Sequence, residues 1–432
     1  MNKEILKNII REKQQEIAEV QFIKRDYFIE PSVNYVFVGM RRAGKSYLMY
    51  QQIHELISHD DHTINNILFI NFEDERIRGI RADELSLILD AYKEMYSDSK
   101  PILFLDEIQN VEGWEKFARR LADSKYRVYI SGSNAKMLSR EIYTTLGGRF
   151  VAREIFPFSF DEYLKYNKVM LDKNWQYGNE RTIAVNHFEK YFNFGGIAEV
   201  FPLFDKRDYL NSLYHKILLG DIIARNDIRN ENAIRILVKK IAETVMHPVS
   251  LQKLKNIVDS TGSSVARNTL IDYLSHLKDA YLIFELSNFS DNFTERETIK
   301  KRYFYDNGLL NLFLIDVNTR LLENLVALTL KKNWGDDVFY YKKNVEVDFY
   351  IPKEKTGIQV SYSISDFNTR EREVEALLKL NKAFGLEKLQ IITYNEEEII
   401  KLPNLKINVI PIWKWLIEID MLGSPAENRT RI

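Results

Sequence analysis

Val36-Phe37-Val38-Gly39-Met40-Arg41-Arg42-Ala43-Gly44-Lys45-Ser46 is an apolar strand running into G-x-x-x-x-G-K-S, and Tyr47-Leu48-Met49-Tyr50-Gln51-Gln52-Ile53 continues with helical spacing. Strand, glycine-bounded loop and helix start form the context in which this spacing binds phosphate. The glycines let the loop bend until backbone N–H groups point inward at phosphate oxygens. The helix that follows turns its positive end toward the same anion. Lys45 is spaced to reach the β- and γ-phosphates, and the Ser46 hydroxyl to ligate Mg²⁺. The expected nucleotide contacts are Gly39, Arg41, Arg42, Ala43, Gly44, Lys45, Ser46 and Tyr47, with ATP and Mg²⁺ as ligands. Arg41 and Arg42 either touch phosphate or pack against an acidic strand end.

Binding alone needs no more than this loop, but hydrolysis needs an acid for the metal and a group that orients or deprotonates water. Ile102-Leu103-Phe104-Leu105-Asp106-Glu107 supplies both, as an apolar strand ending in two carboxylates. Asp106 is expected to hold Mg²⁺, mostly through water, and Glu107 to position the attacking water as general base. An acid pair at a helix start would merely favour the helix dipole; downstream of a phosphate loop the catalytic reading is preferred. Ser131-Gly132-Ser133-Asn134 follows the next apolar run, so Ser133 or Asn134 is a candidate contact to the γ-phosphate or the water. The alternative is simple turn residues. Arg149, after the Gly147-Gly148 turn, is a candidate arginine finger acting in cis or across a subunit interface, or else an ordinary surface arginine.

Working outward, Ile67 to Phe72 and Tyr126 to Ser133 are two further apolar runs, with helical patterns at Ala82 to Tyr96 and Trp114 to Ala122. Strands alternating with helices predict an α/β fold with a parallel sheet covered on both faces, and ligands then bind at the carboxyl ends of the strands. After Phe150 the alternation stops. A helical region covers 156–230, with a turn at Phe194-Gly195-Gly196. Ser250 caps a short helix, a turn-like Asp259 to Ser264 follows, then a second helix and the strand Tyr281 to Leu286. This order predicts a helix-turn-helix with a wing-like hairpin over 231–298. From 299 to 420 strands and helices mix, and the polar tail from Gly423 reads as disordered.

The 432 residues leave room for about two to four domains. A net charge of -1 provides no global basic field, so any nucleic-acid binding must come from a local patch. The absence of cysteine removes disulfides, thiolate catalysis and Cys-based metal sites, and fits a cytoplasmic location. No run approaches the ~18 apolar residues that a membrane span needs. The 24 Tyr and 25 Phe are read as core filler rather than as a stacking surface.

Met40 to Ser46, Asn71-Phe72-Glu73-Asp74, Leu105 to Gln109, Ser131-Gly132-Ser133 and Leu146 to Arg149 together resemble a large family of prokaryotic AAA+-type ATPases. Phe156 to Tyr163, Phe194-Gly195-Gly196, Leu322-Glu323-Asn324, Glu346 to Phe349 and Pro411 to Leu416 extend the resemblance over nearly the whole chain. It implies an ATPase core over 1–155, a winged helix, and a restriction-endonuclease-like domain over 299–420. Nucleases of that fold use a helix carboxylate, a strand Asp and an acid-x-Lys. Glu323 and Asp348 match the first two, but Gln359-Val360-Ser361 stands at the third, a departure from the family pattern from which a degenerate nuclease fold used for binding is expected. The winged helix carries Arg267, Asn268, His276 and Lys278, a modest set for reading duplex DNA, and docking on a protein partner is the alternative.

The leading expectation is a Mg²⁺-dependent ATPase that switches its attached domains, with duplex DNA a candidate partner and a homo-oligomer a candidate assembly. A slow nucleotide-holding switch recognising a protein partner, and an ATP-regulated nuclease, are the competing readings.

Overall fold

The computed structural model describes residues 2–59, 62–97, 99–138, 140–289 and 292–421; the tail expected to be disordered lies outside them. The chain divides into two compact units, Met1–Phe156 with Asp279–Tyr281, and Pro157–Lys278 with Leu282–Ile432. Among the described residues no helix is long and apolar enough to cross a membrane.

The first unit is built on five parallel strands: β1 (Asn34–Val38), β2 (Ile67–Asn71), β3 (Ile102–Asp106), β4 (Val128–Gly132) and β5 (Phe150–Glu154), in the order β2-β3-β4-β1-β5. The central strands are near-continuous apolar runs because both faces are covered. Phe69, Phe104, Tyr129 and Tyr35 stand directly opposite one another across β2, β3, β4 and β1, forming a row of stacked rings. These four aromatic residues thus fill the core of the sheet. β5 is an edge strand with one buried residue out of five, and its polar Arg153-Glu154 end hides it from an apolar-run criterion. The alternation therefore continues one strand beyond Phe150.

The second unit begins with helices Phe160–Tyr166, Asn179–Phe194 and Lys206–Lys216. Ser159 and Glu162 form a reciprocal cap on the first of these. The Phe194-Gly195-Gly196 turn has a packing reason for its glycines. Gly195 sits at φ +76°, and a Cβ on Gly196 would lie 2.2 Å from the Phe158 carbonyl oxygen. Gly196 N–H donates to Asp306 Oδ2 at 2.8 Å, pinning the turn to a buried carboxylate. Gly196→Ala is expected to destabilise this unit by about 1–3 kcal/mol, the usual cost of forcing a methyl into a filled space; a denaturant midpoint unchanged from the native chain would contradict this.

Helices Glu231–Glu243, Leu251–Ser260 and Arg267–Asp279 follow, with a small antiparallel sheet of β6 (Val249–Ser250), β7 (Ile283–Ser287) and β8 (Ile299–Phe304), ordered β6-β8-β7. A domain division at 298/299 therefore falls inside a hairpin: β8 pairs with β6 and β7, and the three-stranded module runs to Phe304. The remaining strands, β9 (Phe339–Lys342), β10 (Glu346–Ile351), β11 (Thr356–Val360), β12 (Lys388–Thr393), β13 (Glu398–Leu402) and β14 (Leu405–Pro411), make a mixed sheet ordered β13-β14-β12-β11-β10-β9. Helix Phe367–Phe384 packs Ala376, Leu377 and Leu380 onto Val347, Leu389, Ile391 and Val409. Helix Asn318–Trp334 is buried along much of its length.

Candidate functional site

In the parallel sheet β4 lies between β1 and β3. The carboxyl ends of three neighbouring strands therefore deliver the phosphate loop, Ser131 to Ser133 and the Asp106-Glu107 pair side by side. The loop needs positive φ at three places: Gly39 at +150°, Arg42 at +68° and Gly44 at +91°. A Cβ on Gly39 would meet the Ile155 carbonyl oxygen at 2.2 Å, so glycine is required there for close packing as well. Arg42 is a non-glycine residue in the left-handed region, which costs about 1–2 kcal/mol; alternating backbone signs of this kind turn successive N–H groups into one concavity.

Lys45 is buried, and its ammonium donates to the carbonyls of Gly39 at 3.2 Å and Met40 at 3.1 Å. It also lies 3.5 Å from Glu107 Oε1. The lysine thus curls back over its own loop, in reach of both the phosphate concavity and the acid pair. Ser46 Oγ donates to Asp106 Oδ2 at 2.8 Å. Ser131 Oγ donates to the other oxygen, Oδ1, of the same carboxylate. Burial, then the charge of Glu107, push the Asp106 carboxyl up to about 6, against the hydroxyls of Ser131 and Ser46 and the charge of Lys45. Glu107 goes the other way. Burial opposes its charge, but Lys45, Gln109, Arg41 and Ser133 together hold it below the usual carboxylate range. The two carboxyls are thereby shifted in opposite directions, Asp106 up and Glu107 down.

Glu107 adopts left-handed backbone, φ 53° and ψ 38°, which turns its side chain off the strand line toward the end of β4. Its Oε2 accepts from Ser133 N at 3.3 Å, from Ser133 Oγ at 3.0 Å and from Gln109 Nε2. Of the two candidates after β4, Ser133 is the one that touches Glu107. Asn134 instead accepts from Lys136 N at 2.8 Å, closing a local turn.

Arg41 donates to Glu73 Oε1 at 2.9 Å, so it packs on the acidic segment just past β2. Arg42 is exposed. Tyr47 is half-exposed and stands edge-on to Tyr50, with ring centroids 5.5 Å apart.

Arg149 lies elsewhere. β5 runs parallel to β1 with Phe150 opposite Asn34 and Glu154 opposite Val38. Arg149 therefore precedes the amino end of the sheet, whereas Gly39 follows the carboxyl end, about 13 Å or more away along a strand. Its guanidinium bonds Asp123 and the Gly147 carbonyl, beside Arg119. In this conformation Arg149 stands away from the phosphate loop of its own chain.

One residue of the site carries no sequence signal. Arg25 sits in an aperiodic stretch before β1, yet it is 2% exposed and donates to the Ala43 carbonyl of the phosphate loop and to the Phe156 carbonyl, each at 2.9 Å. Its own backbone exchanges two hydrogen bonds with the Gln51 side chain. No periodicity or motif spacing reports a clamp made by main-chain carbonyls.

A family model described as AAA domain matches residues 33–164, and one described as Domain of unknown function (DUF8612) matches residues 185–320. The uncharacterized protein MJ1544 of Methanocaldococcus jannaschii is 36% identical over 419 residues, covering 93% of this chain and 92% of that protein. An uncharacterized protein of Haemophilus influenzae is 29% identical over 352 residues, covering 78% and 84%. Among solved structures, the Aeropyrum pernix ORC1 protein in complex with DNA aligns with 76% of this chain and 94% of its own, at 13% identity and a TM-score of 0.29, too distant to bear on function. Phosphate loop, acid-ended strand and 36% identity over nearly the full length agree: this chain belongs to the family of the M. jannaschii protein MJ1544 and carries an AAA domain at residues 33–164.

Proposed function

We propose that this chain is a Mg²⁺-dependent ATPase whose hydrolysis drives a conformational switch in its second unit. The observation that carries this reading is the convergence of Lys45, Ser46, Asp106, Glu107 and Ser133 at adjoining strand ends. The donor set fits Mg²⁺: a hydroxyl and a buried carboxylate, both hard oxygens, already 2.8 Å apart. Mg²⁺ bound there would neutralise developing charge on the β- and γ-phosphate oxygens. The loop N–H groups grip phosphate, and Lys45, released from the Gly39 and Met40 carbonyls, turns to the γ-phosphate. Glu107 orients the attacking water and accepts its proton. Ser133 and Gln109 hold the Glu107 carboxylate in a fixed direction. Steady-state ATP hydrolysis with Mg²⁺, with and without duplex DNA, tests the reading; no turnover despite tight nucleotide binding would favour the holding switch.

The raised Asp106 carboxyl gives this function a pH signature. Its folded value of about 6 exceeds the ordinary 3.8, so its contribution to apo-chain stability is complete below 3.8 and is lost as pH rises through about 6. Metal favours the carboxylate, so the apparent affinity for Mg²⁺·ATP falls as pH drops through about 6. Calorimetry at about pH 5.5 in buffers of different ionisation enthalpy should detect proton release on binding. Equal heats across buffers would contradict it.

The module from Glu231 to Phe304 has the helix and strand order of a winged helix. Three of its cations are engaged within it: Lys278 and Arg302 both bond Glu285, at 3.0 and 2.9 Å, and Lys300 bonds Ser287 at 2.8 Å. Helix Arg267–Asp279 turns out Ile271 and Asp272 beside Arg267 and Asn268. An apolar residue and an acid on that face favour docking on a protein over reading of duplex DNA. DNA affinity falling steeply with salt would reverse this preference.

The six-stranded sheet with helix Asn318–Trp334 is read as a restriction-endonuclease-like domain without nuclease activity. Gln359 and Ser361 stand where the acid and lysine would be. Mg²⁺- or Mn²⁺-dependent plasmid cleavage, lost on Asp348→Ala, would overturn that reading.

A further inference from the structure

Lys301, on β8, has no exposure to solvent. Its ammonium lies 2.9 Å from Asp348 Oδ1, 3.2 Å from Glu323 Oε1 and 3.5 Å from Glu346 Oε1. A buried ammonium must be paired, since unpaired burial costs several kcal/mol. One carboxylate would suffice to pair it; three converge here, from helix Asn318–Trp334 and from β10. The remaining oxygens are nearly all assigned. Asp348 Oδ2 accepts from Val360 N at 3.0 Å, Glu346 Oε2 from Lys342 at 2.6 Å, and Glu323 Oε1 also from Tyr303 OH at 2.7 Å. Glu323 Oε2 is buried without a hydrogen-bond partner, on a residue 1% exposed.

The Lys301 ammonium has three N–H bonds, and three carboxylate oxygens already surround it. It brings one positive charge against three carboxyl groups, and it leaves an oxygen of Glu323 unserved. Three hard-oxygen carboxylates on a helix and a strand, with one buried oxygen left over, form the donor set of a divalent cation rather than of a lysine. As the side chains stand, no group of three or more Asp, Glu, His or Cys among the described residues is arranged to hold a metal ion.

We propose that Glu323, Glu346 and Asp348 form a divalent-cation site whose cation position is occupied by Lys301, so that the native domain is filled from within and binds no metal there. The substitution also has a structural effect. β8 belongs to the three-stranded sheet and β10 to the six-stranded one, so the Lys301 cluster joins the two modules by charge, where a diffusible ion would join them only when bound.

The test is Mn²⁺ binding by the full chain without nucleotide, followed by calorimetry and by electron paramagnetic resonance, for the native protein, Lys301→Met and Lys301→Met/Asp348→Asn. Lys301→Met is expected to gain one Mn²⁺ site, with Kd on the order of 10⁻⁵–10⁻³ M as for oxygen-ligated cations, and the double variant to lose it. Mn²⁺ should raise the melting temperature of Lys301→Met and leave that of the native chain unmoved. Lys301→Arg keeps a cation in place and should bind no Mn²⁺ at this cluster. If Lys301→Met is unfolded in metal-free buffer, refolding on addition of millimolar Mn²⁺ supports the proposal, and failure to refold overturns it. Native binding of Mn²⁺ that disappears on Asp348→Asn, or a folded Lys301→Met that binds none, also overturns it.

Discussion

Glu107→Gln is expected to lower ATP turnover by about 10²–10⁴-fold, the usual worth of a positioned general base, while Mg²⁺·ATP still binds. The glutamine amide keeps the size of the side chain and can still meet Ser133, but it cannot take a proton from water. Binding should tighten, because Glu107 Oε1 now lies 3.5 Å from the Lys45 ammonium and competes with phosphate for it. Turnover measured by phosphate release, and affinity measured with a fluorescent nucleotide, separate the two effects. Loss of binding together with turnover would assign Glu107 to the fold of the loop rather than to the chemistry. Turnover that survives would move the role of orienting water to Ser133 or to a group supplied by a partner.

Arg149→Ala is expected to cost about 10³–10⁵-fold in turnover, the range for an arginine finger, with nucleotide affinity nearly unchanged. The register of β5 on β1 puts Arg149 at the amino end of the sheet, away from its own phosphate loop. A finger role therefore requires a second copy of the chain. The decisive experiment mixes Glu107→Gln with Arg149→Ala, each inactive alone. A mixed interface holding an intact Glu107 on one side and an intact Arg149 on the other should recover activity. Two folded, inactive variants that do not complement would leave Arg149 as a surface residue, held by Asp123 and the Gly147 carbonyl.

The legible parts of this molecule share one property: they are local. Gly39 to Ser46 must bend at particular positions, and the residues that permit the bend lie next to those that bind. Asp106 and Glu107 end an apolar run because a strand buried on both faces can turn polar only where it leaves the sheet. The less legible parts are edges. β5 and β13 carry few buried residues, so no apolar run announces them. No long apolar run announces β8 either, because Lys300, Lys301 and Arg302 stand in it. In the fold Lys301 is fully buried, and Arg302 is 4% exposed and bonded to Glu285. Choosing between Ser133 and Asn134 needed the left-handed turn at Glu107, a backbone state with no composition cue at a glutamate.

By itself, then, the amino-acid order determined the phosphate loop, the acid-ended strand and the alternation that makes a parallel sheet, because each is a matter of neighbours along the chain. Only the tertiary structure decided which hydroxyl touches Glu107, where Arg25 clamps the loop, that Arg149 stands at the far end of its own sheet, and that Lys301 sits among three carboxylates. Those are contacts between residues 18 to 131 positions apart. They depend on strand order and register, which many sequences with the same local pattern would set differently.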